Sequence, residues 1–336
     1  RKLSETSPYA FVRNQSSMTL SNRTTDDELY SHYLKNKMMT PFFSDEDYIE
    51  VGIAMEEKDR VGRVNTLRVQ SKISDSEIGA SPIDTILTYE DPSKLDYDLI
   101  SRPKDSYNAS LDKKALYLKS MIKPIEDFYI TFGARKESVE QEAEQFDIQD
   151  NVVITKNNKL DFEKLLPSLG MKYSINEQNQ IKFSYAKTFV YPDFREFIDS
   201  EFIHPEFVAK IAGNPELVET DIESYDIQYG YYFDDIDNIT ISLFYKDMVN
   251  PIEDVRTFTT STLDRFSFEN SSAAKMSGFE LSWYKNLGFL SSYLEKIVFS
   301  GNYTYVDSEV TLTEEQKIKY VTQERQLQGL SSEVLN

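Results

Sequence analysis

Residues 213–254 read GNPELVETDIESYDIQYGYYFDDIDNITISLFYKDMVNPIED. Tyr225, Ile227, Tyr229, Tyr231 and Phe233 fall on one face of an extended strand, and Ser224, Asp226, Gln228 and Gly230 on the other. Successive strand side chains point to opposite faces, so this is a period-2 signal. After an acidic turn the pattern repeats. Ile239, Ile241, Leu243 and Tyr245 share one face, while Thr240, Ser242 and Lys246 hold the other. A helix would scatter these apolar residues around its circumference. Two strands joined by a tight turn follow.

Their length sets them apart. An ordinary strand is about 5–6 residues, whereas a membrane-crossing barrel strand needs about 9–11. The spacing predicts strands over Ile222–Phe233 and Asn238–Asp247, both of the longer kind. Tyr and Phe on the apolar face suit an aromatic girdle at a lipid–water boundary. A long hairpin in a soluble β-protein fits the same pattern, so the rest of the chain must decide.

The chain has 336 residues, no cysteine, 57 acidic and 37 basic residues, and a formal net charge of −20. Such acidity excludes a basic groove for nucleic acid. Without cysteine there are no disulfides and no thiolate metal sites. The two histidines, His32 and His204, cannot form an all-histidine metal site. No apolar run reaches the roughly 18 residues of a spanning helix. Mean hydropathy is negative, which a membrane barrel tolerates because only alternate residues face lipid. No signal peptide opens the chain at Arg1, and the pattern is cut at both ends, so a fragment is expected.

Taken in order, residues 1–40 suggest one or two strands and a loop. Met38–Asp47 reads as a turn with interfacial aromatics, and Tyr48–Glu57 as a strand. From Lys58 to about Lys113 the sequence is polar and broken by Pro82, Pro92 and Pro103. Strands are then predicted over Leu116–Lys123, Phe128–Glu137, Leu166–Ser174, Gln180–Lys187, the opening pair, Lys275–Lys285 and Ile297–Val306. Asn286–Lys296 is a connector able to form a short amphipathic helix. Short turns near residues 125, 177 and 236, with a moderate one near 290, alternate with long polar loops near 150, 205, 262 and 318. Outer-membrane barrels have short periplasmic turns and long extracellular loops. A soluble up-and-down barrel needs no such asymmetry. Asp226, Gln228, Glu280, Ser300 and Asn302 would face a wide polar lumen, since a small closed barrel fills its interior with apolar side chains. The fold expected is all-β, a large antiparallel transmembrane β-barrel.

Several segments carry a family resemblance in order: FYITFGARKE (Phe128–Glu137), LLPSLGMKYS (Leu165–Ser174), YAKTFVYPDFREF (Tyr185–Phe197), GNPELVETDIESYDIQY (Gly213–Tyr229), ISLFYKDMVNPIE (Ile241–Glu253), SGFELSW (Ser277–Trp283), NYTYVDSEV (Asn302–Val310) and RQLQGLS (Arg325–Ser331). Together they resemble the barrel of TonB-dependent outer-membrane receptors, well over residues 115–336 and weakly over 48–114. The resemblance implies a bacterial outer-membrane barrel of about 22 strands with a plugged lumen. It implies active uptake of a ferric siderophore or similar bulky nutrient, driven by the TonB complex of the inner membrane. Lipid and lipopolysaccharide would surround it. On this reading residues 1–336 are a partial barrel domain, lacking the N-terminal plug and the first and last strands. At Ser332–Glu333 the family often has a Pro-aromatic pair that this sequence lacks, which leaves the next strand's start open. A passive porin or surface-binding barrel is the alternative.

Candidate sites are sparse. Asp234, Asp235, Asp237 and Asn238 have the acidity of a calcium loop but not its late bidentate Glu, so a solvated turn is expected. Glu140, Glu142, Glu144, Asp147 and Asp150 read as a solvated loop cluster that would otherwise bridge divalent ions to lipopolysaccharide. Tyr191, Arg195, His204 and Arg256 are the ligand-binding candidates. His204, with no second ligand beside it, reads first as incidental and otherwise as a contact for a haem or metal chelate, and Arg195 or Arg256 would meet an anionic ligand through paired hydrogen bonds. Arg195 and Glu196 would otherwise pair or line the lumen mouth. No GxSxG, HExxH, phosphate-cradling loop or cysteine nucleophile is present, so no enzyme, cofactor or metal is expected.

Overall fold

The computed structural model describes residues 18–71, 95–99, 105–147, 152–153, 158–203, 209–234, 236–257, 264–320 and 324–336. In chain order the strands are β1 (Met18–Met39), β2 (Tyr48–Ser71), β3 (Leu95–Leu99), β4 (Ser106–Ile125), β5 (Phe128–Asp147), β6 (Val152–Val153), β7 (Asn158–Asn176) and β8 (Asn179–Val190). Helix α1 (Phe194–Phe197) precedes β9 (Glu201–Ile203), β10 (Ala209–Ala212), β11 (Thr220–Tyr232), β12 (Asn238–Val249), β13 (Ile252–Thr257), β14 (Asp264–Asn270), β15 (Ala273–Asn286) and β16 (Val298–Thr311). Helix α2 (Glu314–Lys319) and β17 (Glu333–Leu335) complete the set. The main sheet runs β1-β2-β4-β5-β7-β8-β11-β12-β15-β16-β17, and a second runs β13-β14-β10-β9.

The described residues fall into two units, those within 1–28, 60–108 and 144–157 in one and those within 29–59, 109–143 and 158–336 in the other. In the first, Arg60 grips Asp27 with Nε and Nη2 at 2.6 and 2.8 Å. Arg63 donates to the Tyr107 carbonyl at 3.0 Å, and the Tyr107 ring lies across Gly62, where a Cβ would sit 2.4 Å from it.

The second unit contains the hairpin that opens the sequence. β11 and β12 pair antiparallel without a break from Asp221↔Val249 to Tyr232↔Asn238. The exposure of its two faces is inverted relative to a globular protein. Tyr225, Ile227, Tyr229, Ile239, Ile241, Leu243 and Tyr245 are 37–52% exposed. Between them Asp226, Gln228, Thr240 and Ser242 are half-buried. A water-soluble sandwich would bury the first set between its layers. Here no packed layer among the described residues buries the apolar row, and an exposed apolar surface of this extent marks contact with something apolar. Aromatic rings ladder across it, with Tyr185 to Tyr225 at 5.0 Å and Tyr225 to Tyr245 at 6.2 Å between centroids.

The connectors alternate as expected. β4–β5 and β7–β8 turn through Glu126–Asp127 and Glu177–Gln178, with Asp127 at φ 60. β8–β11 and β12–β15 are long and carry β9, β10, β13 and β14. Several boundaries differ from the sequence reading. Of residues 1–40, β1 supplies one strand, Met18–Met39, and residues 1–17 of that reading lie outside the described residues. β2 and β4 penetrate the region assigned to polar loop. β5 and β7 extend to Asp147 and back from Asn158, so Glu140, Glu142, Glu144 and Asp147 are strand residues rather than a loop cluster. Lys159 pairs with both Glu140 and Glu142, and Asp150 is outside the described residues. Opposite charges facing across adjacent strands stabilise a ladder that apolar periodicity alone does not announce. β4 runs through Pro124 to Ile125, two residues beyond the predicted end at Lys123. β17 starts at Glu333 without the family's Pro-aromatic pair.

Two close approaches fix the wall. Gly278 sits opposite Phe244; a Cβ there would fall 2.1 Å from the Tyr305 carbonyl oxygen and 2.5 Å from the Phe244 ring. Asp47, in the β1–β2 turn, is fully buried. Its carboxylate accepts from Phe43 N–H at 2.7 Å, Ser44 N–H at 3.1 Å, Ser44 Oγ at 2.8 Å and Lys123 N–H at 2.7 Å. Burial opposes its charge, but these donors overcome that and lower the carboxyl to about 2.

Gly278→Ala is expected to destabilise the protein by about 1–3 kcal/mol, the usual cost of overpacking. Gly170→Ala, whose nearest neighbour would be 3.9 Å away, serves as the neutral control in a heat-shift gel assay. Because the folded Asp47 carboxyl lies below its ordinary value of 3.8, its stabilisation is complete above that value. It is lost as pH falls toward about 2. Acid unfolding followed by fluorescence should show this slope in the parent and not in Asp47→Asn.

Candidate functional site

The long β8–β11 connector builds a rigid module from the residues YPDFREFI. Asp193 caps α1: its Oδ1 accepts from Arg195 N–H at 3.0 Å, and the Glu196 carboxylate accepts from Asp193 N–H at 2.9 Å. This reciprocal capping box satisfies donors that a short helix leaves open. Phe194, Phe197 and Ile198 are buried. Asn158 Nδ2 donates to the Phe197 carbonyl at 3.3 Å, and Gln141 Nε2 donates to the Pro192 carbonyl at 3.1 Å. Burial pushes the Glu196 carboxyl up, against the pull of the Asp193 N–H.

GNPEL docks onto this module. A Cβ at Gly213 would stand 2.0 Å from the Ile198 carbonyl and 2.6 Å from that of Arg195, so only glycine fits. Asn214 N–H donates to the Glu196 carbonyl at 2.6 Å, and its Nδ2 to the Phe268 carbonyl of β14 at 2.9 Å. Asn270 Nδ2 donates to the carbonyls of Val218 at 3.0 Å and Asn250 at 2.7 Å. The second sheet is thereby tied to the start of β11. Within it β10 and β14 run parallel, and Glu201 pairs with Lys210 at 3.6 Å and Arg265 at 3.1 Å.

Of the ligand-binding candidates, Tyr191 and Arg195 share the α1 module. Tyr191 is half-buried, 6.2 Å from the Phe189 ring, and burial pushes its phenol up. Arg195 is exposed on α1. Arg256 is exposed on β13, opposite Phe266 of β14. His204 lies outside the described residues. The acidic turn is otherwise engaged: Asp234 Oδ1 accepts from Ile236 N–H and Asp237 N–H at 2.9 and 2.7 Å. Asp237 accepts from Lys285 Nζ at 2.6 Å and Asn286 N–H at 2.9 Å.

Sequence reasoning missed a buried carboxylate. Glu253, in β13, receives both arms of Arg325, Nη1 to Oε1 and Nη2 to Oε2 at 2.8 Å each, and Ser271 Oγ at 2.6 Å. Leu327 N–H donates to Ser308 Oγ at 3.0 Å, and Leu327 packs near Ala274, Val310 and Leu312. The fork clamps one long connector to the next.

The family model for TonB dependent receptor-like β-barrels matches residues 4–330. The chain belongs to that family. Its fold is like that of the siderophore receptor PiuA from Acinetobacter baumannii, at 17% identity and TM-score 0.57, covering 93% of this chain and 43% of that one. The pyoverdine outer membrane receptor FpvA from Pseudomonas aeruginosa PAO1, solved with pyoverdine bound, gives 15% and 0.57 over 94% and 39%. The unliganded ferric citrate transporter FecA gives 15% and 0.53 over 88% and 37%. Likeness at such identities speaks to fold: the large antiparallel transmembrane β-barrel of TonB-dependent receptors, of which this chain is a part. It spans less than half the length of each of these structures. No curated protein matches it by sequence.

Glu253→Ala strands Arg325 and should cost about 3–5 kcal/mol locally, the usual penalty for halving a buried pair. Hydrogen exchange on β13 and β14 should rise. In a double-mutant cycle, adding Arg325→Ala should cost far less than it does alone.

Proposed function

We propose that this chain is part of the wall of a TonB-dependent receptor in the bacterial outer membrane, importing a bulky scarce nutrient such as a ferric siderophore. One observation carries the reading: strands of membrane-crossing length in a chain of this family leave their apolar row uncovered and half-cover their polar row. Lipid and lipopolysaccharide suit the first row, and a filled polar lumen the second. The plug and the remaining strands would come from sequence outside residues 1–336. Energy would reach the plug from the inner-membrane TonB complex, with no cofactor consumed by this chain.

The ligand would meet the long-connector end. That end is held by buried anchors (Phe197, Ile198, Leu217 and Glu253), yet presents Arg195 and Arg256 outward. Guanidinium forks recognise carboxylates and other anionic chelating groups bidentately. Tyr191 stands at the base of the same module, and His204 in the same connector is retained as a candidate contact. Loops on a rigid scaffold are where binding residues concentrate.

Deleting the whole receptor should abolish growth on at least one ferric chelate as sole iron source, and a protonophore should stop accumulation of that chelate. Uptake insensitive to the protonophore would favour a passive porin. Arg195→Ala with Arg256→Ala should weaken chelate binding about tenfold or more, roughly 1.4 kcal/mol. Unchanged binding would remove both arginines from the site.

A further inference from the structure

The β15–β16 connector is unlike the turns that join β4 to β5 and β7 to β8. Glu126–Asp127 and Glu177–Gln178 are short and polar. Residues 287–297 instead form two 3-10 turns, Leu287–Phe289 and Ser292–Leu294. They present Phe289 at 66%, Leu290 at 64% and Tyr293 at 95% exposure.

Two features speak for what covers them. The first is that the connector meets most of its own backbone demand. Leu287 N–H donates to the Ile297 carbonyl at 2.9 Å, Leu290 N–H to Leu287 at 3.0 Å, Leu294 N–H to Ser291 at 2.8 Å, and Ile297 N–H to Leu294 at 2.9 Å. Asn286 Oδ1 accepts from Gly288 N–H at 2.7 Å, while its Nδ2 donates to the Glu295 carbonyl at 2.7 Å. Such bonds are ordinary in 3-10 turns wherever they lie, and in water they are optional because water satisfies peptide groups. A segment entering an apolar medium requires it.

The second is continuity with the apolar row of the wall. Tyr231 and Phe233 pack edge-on at 4.8 Å. Lys285 Nζ lies 4.1 Å over the Phe233 ring and 5.3 Å from the Phe289 ring, and ends in an ion pair with Asp237. Trp283 and Phe299 stack at 5.8 Å where β15 and β16 enter the connector. The aromatic surface of the strands therefore reaches Phe289 across the Lys285 side chain, which touches rings on both sides. The lysine carries its charge along that surface to a polar turn, as cations do at a membrane boundary.

We propose that residues 287–297 form an interfacial anchor, whose Phe289, Leu290 and Tyr293 insert among the phospholipids of the leaflet on the short-turn side. Its occupant is lipid at the headgroup–acyl boundary, where amphipathic elements with aromatic residues settle. The anchor seats one edge of the wall at a fixed depth. The inference rests on the membrane reading above.

The test places a nitroxide at Tyr293→Cys, and separately at Leu290→Cys, in the full receptor assembled in phosphatidylethanolamine–phosphatidylglycerol vesicles. The chain contributes no cysteine of its own. Collision with oxygen, which partitions into lipid, is compared with collision with a water-soluble nickel chelate. Leu243→Cys on the apolar row and Glu177→Cys in a polar turn set the two limits. Labels at 293 and 290 should shift well toward the Leu243 ratio. If Leu243 reads as lipid while both connector labels are as open to nickel as Glu177, the anchor is wrong and the membrane reading stands. Shielding of the connector labels from both reagents would mean a protein partner or second copy covers them, which also overturns the anchor. A water-like Leu243 sinks both ideas.

Discussion

Hydrocarbon offers no hydrogen bonds, so a peptide group placed in it must find its partner in the protein. A wall of long antiparallel strands meets that demand strand by strand. The unbroken register from β8 through β11, β12 and β15 to β16 shows it met across the middle of this chain. Once the backbone is committed to that ladder, side chains have only two directions to go, and the period-2 sequence assigns one to lipid and the other to the lumen. The greasy row then needs no protein neighbour, and the wet row needs water or polar partners. The inverted exposure of Tyr225 and Asp226 follows from that single requirement.

The two ends of the wall solve different problems. At the short-turn end the task is to reverse the chain cheaply, which Glu126–Asp127 does in two residues, with Asp127 taking the left-handed conformation that Asp tolerates. At the other end the connectors are long enough to carry short strands and a helix of their own. The capping box at Asp193 and Glu196, the glycine wedge at Gly213 and the Glu253–Arg325 fork give loops the rigidity of a small domain. Rigid presentation lowers the ordering cost of binding.

The sequence showed the hairpin at residues 222–247 plainly, because apolar and polar residues alternate there without interruption. The outer reaches of β4, β5 and β7 were illegible. Their residues, Glu140, Glu142 and Lys159 among them, are charged on the side that would otherwise be greasy, and they cohere through cross-strand ion pairs instead. α1 was hidden because one turn of helix has no periodicity to read. The Glu253–Arg325 pair was hidden by distance along the chain, since neither residue type predicts its partner. Tyr191, Arg195 and Arg256 could be named from their loops, but only coordinates put Tyr191 and Arg195 on one module and Arg256 on the second sheet. The motifs GNPEL and FREF were visible as motifs; that one is the socket for the other was not.

The uncovered row also bears on how such a molecule comes into being. A surface that is oily outside has no comfortable form in an aqueous compartment, where each added strand enlarges the area that strangers can stick to. Finished hairpins such as β11–β12 would find one another, or the wrong neighbour, before reaching a bilayer. The ladder of Tyr185, Tyr225 and Tyr245 therefore ties biogenesis to escort: the nascent polypeptide has to be held apart until lipid is there to receive it.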